Sequence, residues 1–203
     1  MKQSFKNPAI LVMLYLLCFA AHSASAQEVT SSRFIYSARL TFQSYGLPFK
    51  NLREGFKNIG GAIGVDYAYN KSQNLLQSFS LGFQHHTEHE QILYINTQLA
   101  YRPLLFDKLE PGIAIGIGRA LAISNPGNPY YELEHGTWKR SSHQKTWHWQ
   151  LPVSLSMGYR IRQANGRVFT PYIGYEAATL IKYNSAFPLL PYSQLSAGTR
   201  IKF

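Results

Sequence analysis

From residue 33 onward the chain alternates between bulky apolar and small or polar side chains, the period-two signature of strands with two unlike faces. A first segment sets Phe34, Tyr36, Ala38, Leu40 and Phe42 against Arg33, Ser37, Arg39, Thr41 and Gln43. A second sets Ile63, Val65, Tyr67 and Tyr69 against Gly64, Asp66 and Ala68. Phe79, Leu81 and Phe83 then oppose Ser78, Ser80, Gly82 and Gln84, and Leu93 to Tyr101 continues the pattern with Tyr94, Asn96, Gln98 and Ala100 on its second face. In the fifth segment Ile113, Ile115 and Ile117 alternate with Gly112, Ala114, Gly116 and Gly118. Arg119 then falls on the apolar face, which predicts that the strand ends or bulges there. The sixth is the longest: Trp147, Trp149, Leu151, Val153, Leu155, Met157, Tyr159 and Ile161 oppose His148, Gln150, Pro152, Ser154, Ser156, Gly158 and Arg160. Phe169 to Ala178 and Gln194 to Phe203 complete the set. No segment carries a helical period of comparable length, so the pattern predicts an all-β fold of eight antiparallel strands.

Alternation by itself admits two arrangements. A soluble lipocalin-like carrier would turn the bulky set inward and show charged residues to water. Here the second face is mostly Gly, Ala, Ser, Thr and Gln, a poor solvated exterior and a good filling for a narrow lumen. The bulky face also carries aromatics at two levels, Trp147 and Trp149 at one and Tyr69, Tyr101, Tyr159, Phe169 and Phe203 at the other, as in the girdles of transmembrane barrels. The odd connections (45–60, 85–91, 122–146 and 183–191) include the two longest, while the even ones (70–74, 102–109 and 163–167) are short. An even-stranded barrel starting in the periplasm places its long loops outside. The expected architecture is an eight-stranded up-and-down transmembrane β-barrel.

In this pattern the chain resembles the small bacterial outer-membrane barrels of the OmpA and OmpX type, over the whole length after residue 26. The terminal strand from Gln194 to Phe203, with Leu195, Ile201 and a final Phe203 on its apolar face, is similar to the signal read by barrel-assembly machinery in that group. The resemblance implies outer-membrane lipids, lipopolysaccharide and the assembly machinery as partners, with another envelope protein as a further one.

The first residues fit export. Lys2 and Lys6 precede an apolar run from Pro8 to Ala21, and Ala24-Ser25-Ala26 fits the small-x-small cleavage rule. The run is too short to span a membrane as a helix. The expected organisation is a cleaved signal peptide, 1–26, and one barrel domain, 27–203. Cys18, the only cysteine, leaves with the signal, which excludes disulfide and thiolate chemistry from the mature chain. The chain has 20 Lys+Arg against 10 Asp+Glu, and loss of Lys2 and Lys6 leaves 18 against 10, a net +8. In an exported protein this basic excess points to phosphate-bearing lipids and away from nucleic acid.

Eight strands enclose a space filled by side chains, which excludes transport of large solutes. Parity directs Arg33, Arg39, Asp66, Arg160, Glu176, Arg200 and Lys202 into that space, where charges need partners. Pairs counted outward from the last loop predict a Glu176–Arg200 bridge. The run His85-His86-Thr87-Glu88-His89-Glu90 offers His85, His86 and His89 as weak metal ligands. No motif implies a cofactor, and none fixes a metal site. The third long loop interleaves Tyr130, Tyr131 and Trp138 with Lys139 and Arg140, a mixture suited to lipopolysaccharide phosphates and sugars.

Some small outer-membrane barrels modify lipid A. A deacylase of that kind would carry a His-x-Ser pair on a strand, whereas His148 is followed two residues on by Gln150. A palmitoyl-transferring barrel would need an aspartate near the outer surface and an amphipathic leading helix. Asp66 and Asp107 lie at the other end, and Gln27 to Ser32 is too short for the helix. A hydrolase reading would rest on His143 or His148 as base, Ser141 or Ser142 as nucleophile, and Glu134. The favoured reading is a non-enzymatic barrel with a filled lumen that makes its contacts through its loops, ahead of a lipid-A-modifying hydrolase or acyltransferase and of a soluble periplasmic carrier.

Overall fold

β-Branched and aromatic residues at every second position favour extended chain, and a strand becomes stable when its backbone groups find partners on both edges. A computed structural model of the chain describes residues 32–45, 58–85, 90–124, 131–134, 136–140, 145–183 and 188–203. The proposed signal peptide lies outside the described residues. Among these residues the strands are β1 (Phe34–Tyr45), β2 (Ile59–Ala68), β3 (Leu75–His85), β4 (Glu90–Tyr101), β5 (Leu109–Ser124), β6 (Tyr131–Glu134), β7 (Thr137–Arg140), β8 (Lys145–Tyr159), β9 (Ile161–Arg162), β10 (Val168–Ile181) and β11 (Leu189–Lys202). β6 and β7 pair only with each other, and β9 continues β8 past Arg160 along the edge of β10. The remaining strands form an up-and-down ring that closes because β11 pairs with both β10 and β1.

The register fixes the geometry of this ring. Partners traced from Phe34 run through Tyr67, Gln77, Leu99, Ile115, Val153, Ala177 and Ser193 and return to β1 at Ser44, ten residues above the start. With standard strand rise and spacing, that offset over eight strands corresponds to a tilt of about 40° from the barrel axis. The interior of such a barrel is just wide enough for side chains.

Burial follows the parity read from the sequence. Asp66, Asn96, Gln98, Gln150, Thr170 and Glu176 are buried, while Ile63, Ile95, Ile115, Leu155 and Ile173 on the alternate face are 53 to 67 % exposed. The bulky set faces outward, which overturns the soluble-carrier arrangement. An apolar exterior this continuous marks a surface that meets something other than water.

The short turns share one end of the barrel. At residues 105–108 the Lys108 N–H donates to the Leu105 carbonyl at 3.1 Å, and Phe106 and Asp107 both adopt positive φ. At 163–167 the left-handed position is filled by Gly166 (φ 83°), where a side chain would be strained. At the other end the third loop folds into the β6–β7 hairpin around Gly136.

One expectation about β5 is overturned. The strand does not end or bulge at Arg119: Leu109↔Tyr159 and Ile123↔Lys145 belong to a single register, so no residue is inserted. The pairing lapses only between Ile115↔Val153 and Gly118↔Gln150, opposite Leu151 and Pro152. Pro152 has no N–H to give to the ladder. Gly116 sits in this stretch, where a Cβ would collide with the Thr97 carbonyl oxygen and the Gln98 Cα of β4. Gly116→Val is therefore expected to destabilise the barrel by about 2 kcal/mol through overpacking. Urea unfolding in detergent micelles should show a lower midpoint, and an unchanged midpoint would contradict the close β4–β5 approach.

Candidate functional site

Because alternate side chains turn inward from eight tilted strands, polar groups from opposite walls meet on the axis, and each must find a partner there. Near the short-turn end the partners are ionic. Arg102 Nη1 lies 2.5 Å from Asp66 Oδ2, and Ser78 Oγ donates to the other oxygen of the same carboxylate. Glu110 holds two arginines, Arg160 at 2.6 Å through Oε2 and Arg200 at 2.9 Å through Oε1. Arg200 also donates to Ser156 Oγ at 3.0 Å and stacks 3.9 Å above the Tyr172 ring. The Glu110–Arg200 bond joins β5 to β11, crossing the lumen.

Higher in the barrel the links are amides and hydroxyls. Gln98 donates to Glu176 Oε2 at 3.2 Å, joining β4 to β10. Arg39 is within Coulombic reach of Glu176 and Tyr94. Gln84 Oε1 accepts from Thr41 at 2.9 Å and from Gln194 at 3.3 Å, and the Tyr192 hydroxyl donates to Gln150 at 3.0 Å, which in turn donates to Asn96. Between the ionic and amide layers lies a polar cavity of about 40 Å³ lined by Arg39, Gln98, Arg102, Tyr172, Glu176 and Arg200. That volume suits about two or three water molecules and is far below what an organic ligand needs.

The Glu176–Arg200 bridge is overturned. Glu176 stands opposite Gln194, and Arg200 stands opposite Thr170, six residues farther down β10. The expected register assumed that Pro191 belongs to the loop, but Pro191 pairs with Thr179 and the hairpin already closes at Ile181↔Leu189. Arg33 also departs from its expected place: it is exposed at the rim, where Nη1 donates to the hydroxyl of outward-facing Tyr67 at 3.2 Å. Lys202 reaches Gln73 Oε1 at 2.8 Å at the same rim. Asp66, Arg160 and Arg200 are in the lumen network, and Arg39 lines the central cavity. The sequence reading missed Arg102 and Glu110, the two residues on which that network turns. Parity could have found them, since Arg102 continues the face of Gln98 and Ala100, and Glu110 continues the face of Gly112.

The long-loop mouth is narrowed by His148. Its Nδ1–H donates to the Lys182 carbonyl at 3.1 Å, which leaves Nε2 to accept from Thr146 Oγ1 at 2.9 Å. The ring lies 5.3 Å from that of Tyr183. His148 is thus held at both nitrogens within the mouth, Nδ1 by the Lys182 carbonyl and Nε2 by the Thr146 hydroxyl. Ser141, Ser142 and His143 lie outside the described residues, as do Tyr130, His86 and His89. Tyr131 and Glu134 on β6, and Trp138, Lys139 and Arg140 on β7, are described only through their backbone pairing, which sets Glu132 opposite Lys139 and Leu133 opposite Trp138. His85 ends β3. Leu195 and Ile201 are half-buried on the outer face of β11, and Phe203 is exposed.

No protein-family model and no curated protein sequence matches the chain. Solved structures do match its fold. Neisserial surface protein A (NspA) is 13% identical over 85% of this chain and 99% of its own, with a TM-score of 0.53. The N-terminal β-barrel domain of Pseudomonas aeruginosa OprF (9% identical, 86% of this chain and 100% of that one, TM-score 0.46) and Ail, the attachment invasion locus protein of Yersinia pestis (11% identical, 84% and 96%, TM-score 0.46), also align.

Glu110 is the residue to test, because its removal takes the ion-pair partner from buried Arg200 and half-buried Arg160. Glu110→Ala is expected to cost about 3 to 5 kcal/mol. The refolded variant should lose its compact, unboiled gel migration at a lower temperature, and a thermal shift within error of wild type would contradict the network. By fold the chain is an eight-stranded up-and-down transmembrane β-barrel, similar in fold to NspA, with its lumen filled by its own side chains.

Proposed function

We propose that the protein is an integral outer-membrane barrel, exported through its signal peptide, whose rigid wall presents basic, aromatic-rich loops for contact with lipopolysaccharide or with another envelope protein. The observation that carries this reading is the network across the lumen. Ion pairs and amide links join opposite strands at several levels, so the barrel interior has room for a few waters and the chemistry open to a partner moves to the loops. The third loop supports the same reading, since it combines Tyr130, Tyr131 and Trp138 with Lys139 and Arg140 on the segment that carries the β6–β7 hairpin. Aromatic faces and guanidinium groups together recognise sugars and phosphates. Leu195, Ile201 and Phe203 serve, in this reading, as the strand recognised by barrel-assembly machinery.

Two measurements test the proposal. In a planar lipid bilayer the folded protein should produce no current steps above background, and regular steps would contradict a filled lumen. Water-soluble core oligosaccharide, freed of its acyl chains, should bind the micelle-embedded protein and lose at least about tenfold in affinity when residues 125–144 are replaced by a short Gly-Ser turn. Equal binding by the two proteins would refute the loop as the contact surface.

A further inference from the structure

Arg119 is a charged residue on the outer wall, in a position where its neighbours are apolar. It stands on β5 directly opposite Ile95 of β4 and Trp149 of β8. Its guanidinium carbon lies 4.6 Å from the Trp149 ring centroid and 5.5 Å from that of Trp147. The indoles are themselves 45 and 58 % exposed on the outer face, while the Arg119 Nε is buried and makes no hydrogen bond. Among the described side chains no carboxylate comes within ion-pair distance of Arg119.

Depth along the barrel explains how a charge persists there. Arg119 is ten residues above Leu109, where β5 begins. That is about 33 Å of strand, or about 25 Å along the axis at a tilt of about 40°. An apolar transmembrane band is about 25 Å tall, so Arg119 is at its upper edge, the level at which Trp gathers and a lipid-facing charge is cheapest. Directly below it Ile117 and Leu151 are exposed and apolar. A cation held against two aromatic faces, with acyl-chain surface beneath and no counter-charge among the described side chains, fits an amphiphile that carries its phosphate just above its hydrocarbon.

We propose that Arg119, Trp147 and Trp149 form a binding site on the barrel wall for the phosphate of an outer-leaflet phosphorylated lipid. The guanidinium gives two parallel N–H donors to the phosphate oxygens, and the indoles fix its orientation by cation–π contact, so little side-chain freedom is lost on binding. The site is separate from the loops. It rests on the outer-membrane placement proposed above and not on what the loops recognise.

The test uses the full mature chain folded in dodecylmaltoside micelles, with folding checked by unboiled migration, and native mass spectrometry to count bound lipid. Lipid A carrying both phosphates should bind wild type at least about tenfold more tightly than the same lipid after enzymatic dephosphorylation. Arg119→Gln should erase that preference, and Arg119→Lys should restore only part of it, because a point charge lacks the paired donors. Replacing residues 125–144 should leave the preference intact, so a failure of the loop reading and a failure of this one are distinguishable. Equal binding of the two lipids by wild type overturns the site without any variant being needed. Loss of the preference on loop replacement, or an unchanged preference in Arg119→Gln, overturns it too. Displacement of the lipid by millimolar inorganic phosphate would assign the site to the free ion and overturn the lipid as its occupant.

Discussion

Pairing of β11 with β1 is the constraint from which the remaining features follow. A strand in hydrocarbon has no water for its N–H and C=O groups, and each unsatisfied group costs several kcal/mol, so a sheet can cross a bilayer only as a closed ring. Closure over eight strands with a ten-residue offset sets the tilt, and the tilt sets a lumen that only side chains can fill. The outward positions are then free to be apolar, and the inward positions are obliged to be small or mutually satisfied. Glycine enters where walls crowd, as at Gly116, and long polar side chains enter where they can reach across.

The lumen solves its electrostatics by distance from the two mouths. Glu110 pairs with both Arg160 and Arg200, and Asp66 pairs with Arg102, all toward the short-turn end. Amides of Gln84, Gln194, Gln150 and Asn96 take over toward the long-loop end, where neutral groups can interlock without an ion to desolvate. Tyr192 and His148 finish the stack. These links tie strands far apart in sequence, so the interior stiffens the wall.

Much of this was legible in the sequence because period two is a strict rule: one glance at parity separates Asp66 from Val65 and Glu176 from Tyr175, and burial follows that division. Register was less legible. The Glu176–Arg200 expectation failed by six residues, since nothing in Phe187-Pro188-Leu189-Leu190-Pro191 announces that pairing resumes before the second proline. Pro103 and Pro111 hid Arg102 and Glu110 in the same way, by making strand ends look like a turn. Arg119 was misread for a different reason. A charge on an apolar face looks like an interruption until β8 is laid beside β5, and the segment between those strands gives no clue to which residues will be opposite each other.

Outer-membrane recovery together with heat-modifiable migration is the most direct measurement of the central claim, that these strands close into a barrel whose bulky face meets lipid. Envelope fractions would be separated, and the detergent-extracted protein run on a gel with and without boiling. The account predicts recovery in the outer-membrane fraction and faster migration of the unboiled sample, because the closed ring resists detergent until heated. A soluble periplasmic protein whose migration is the same before and after boiling would contradict it.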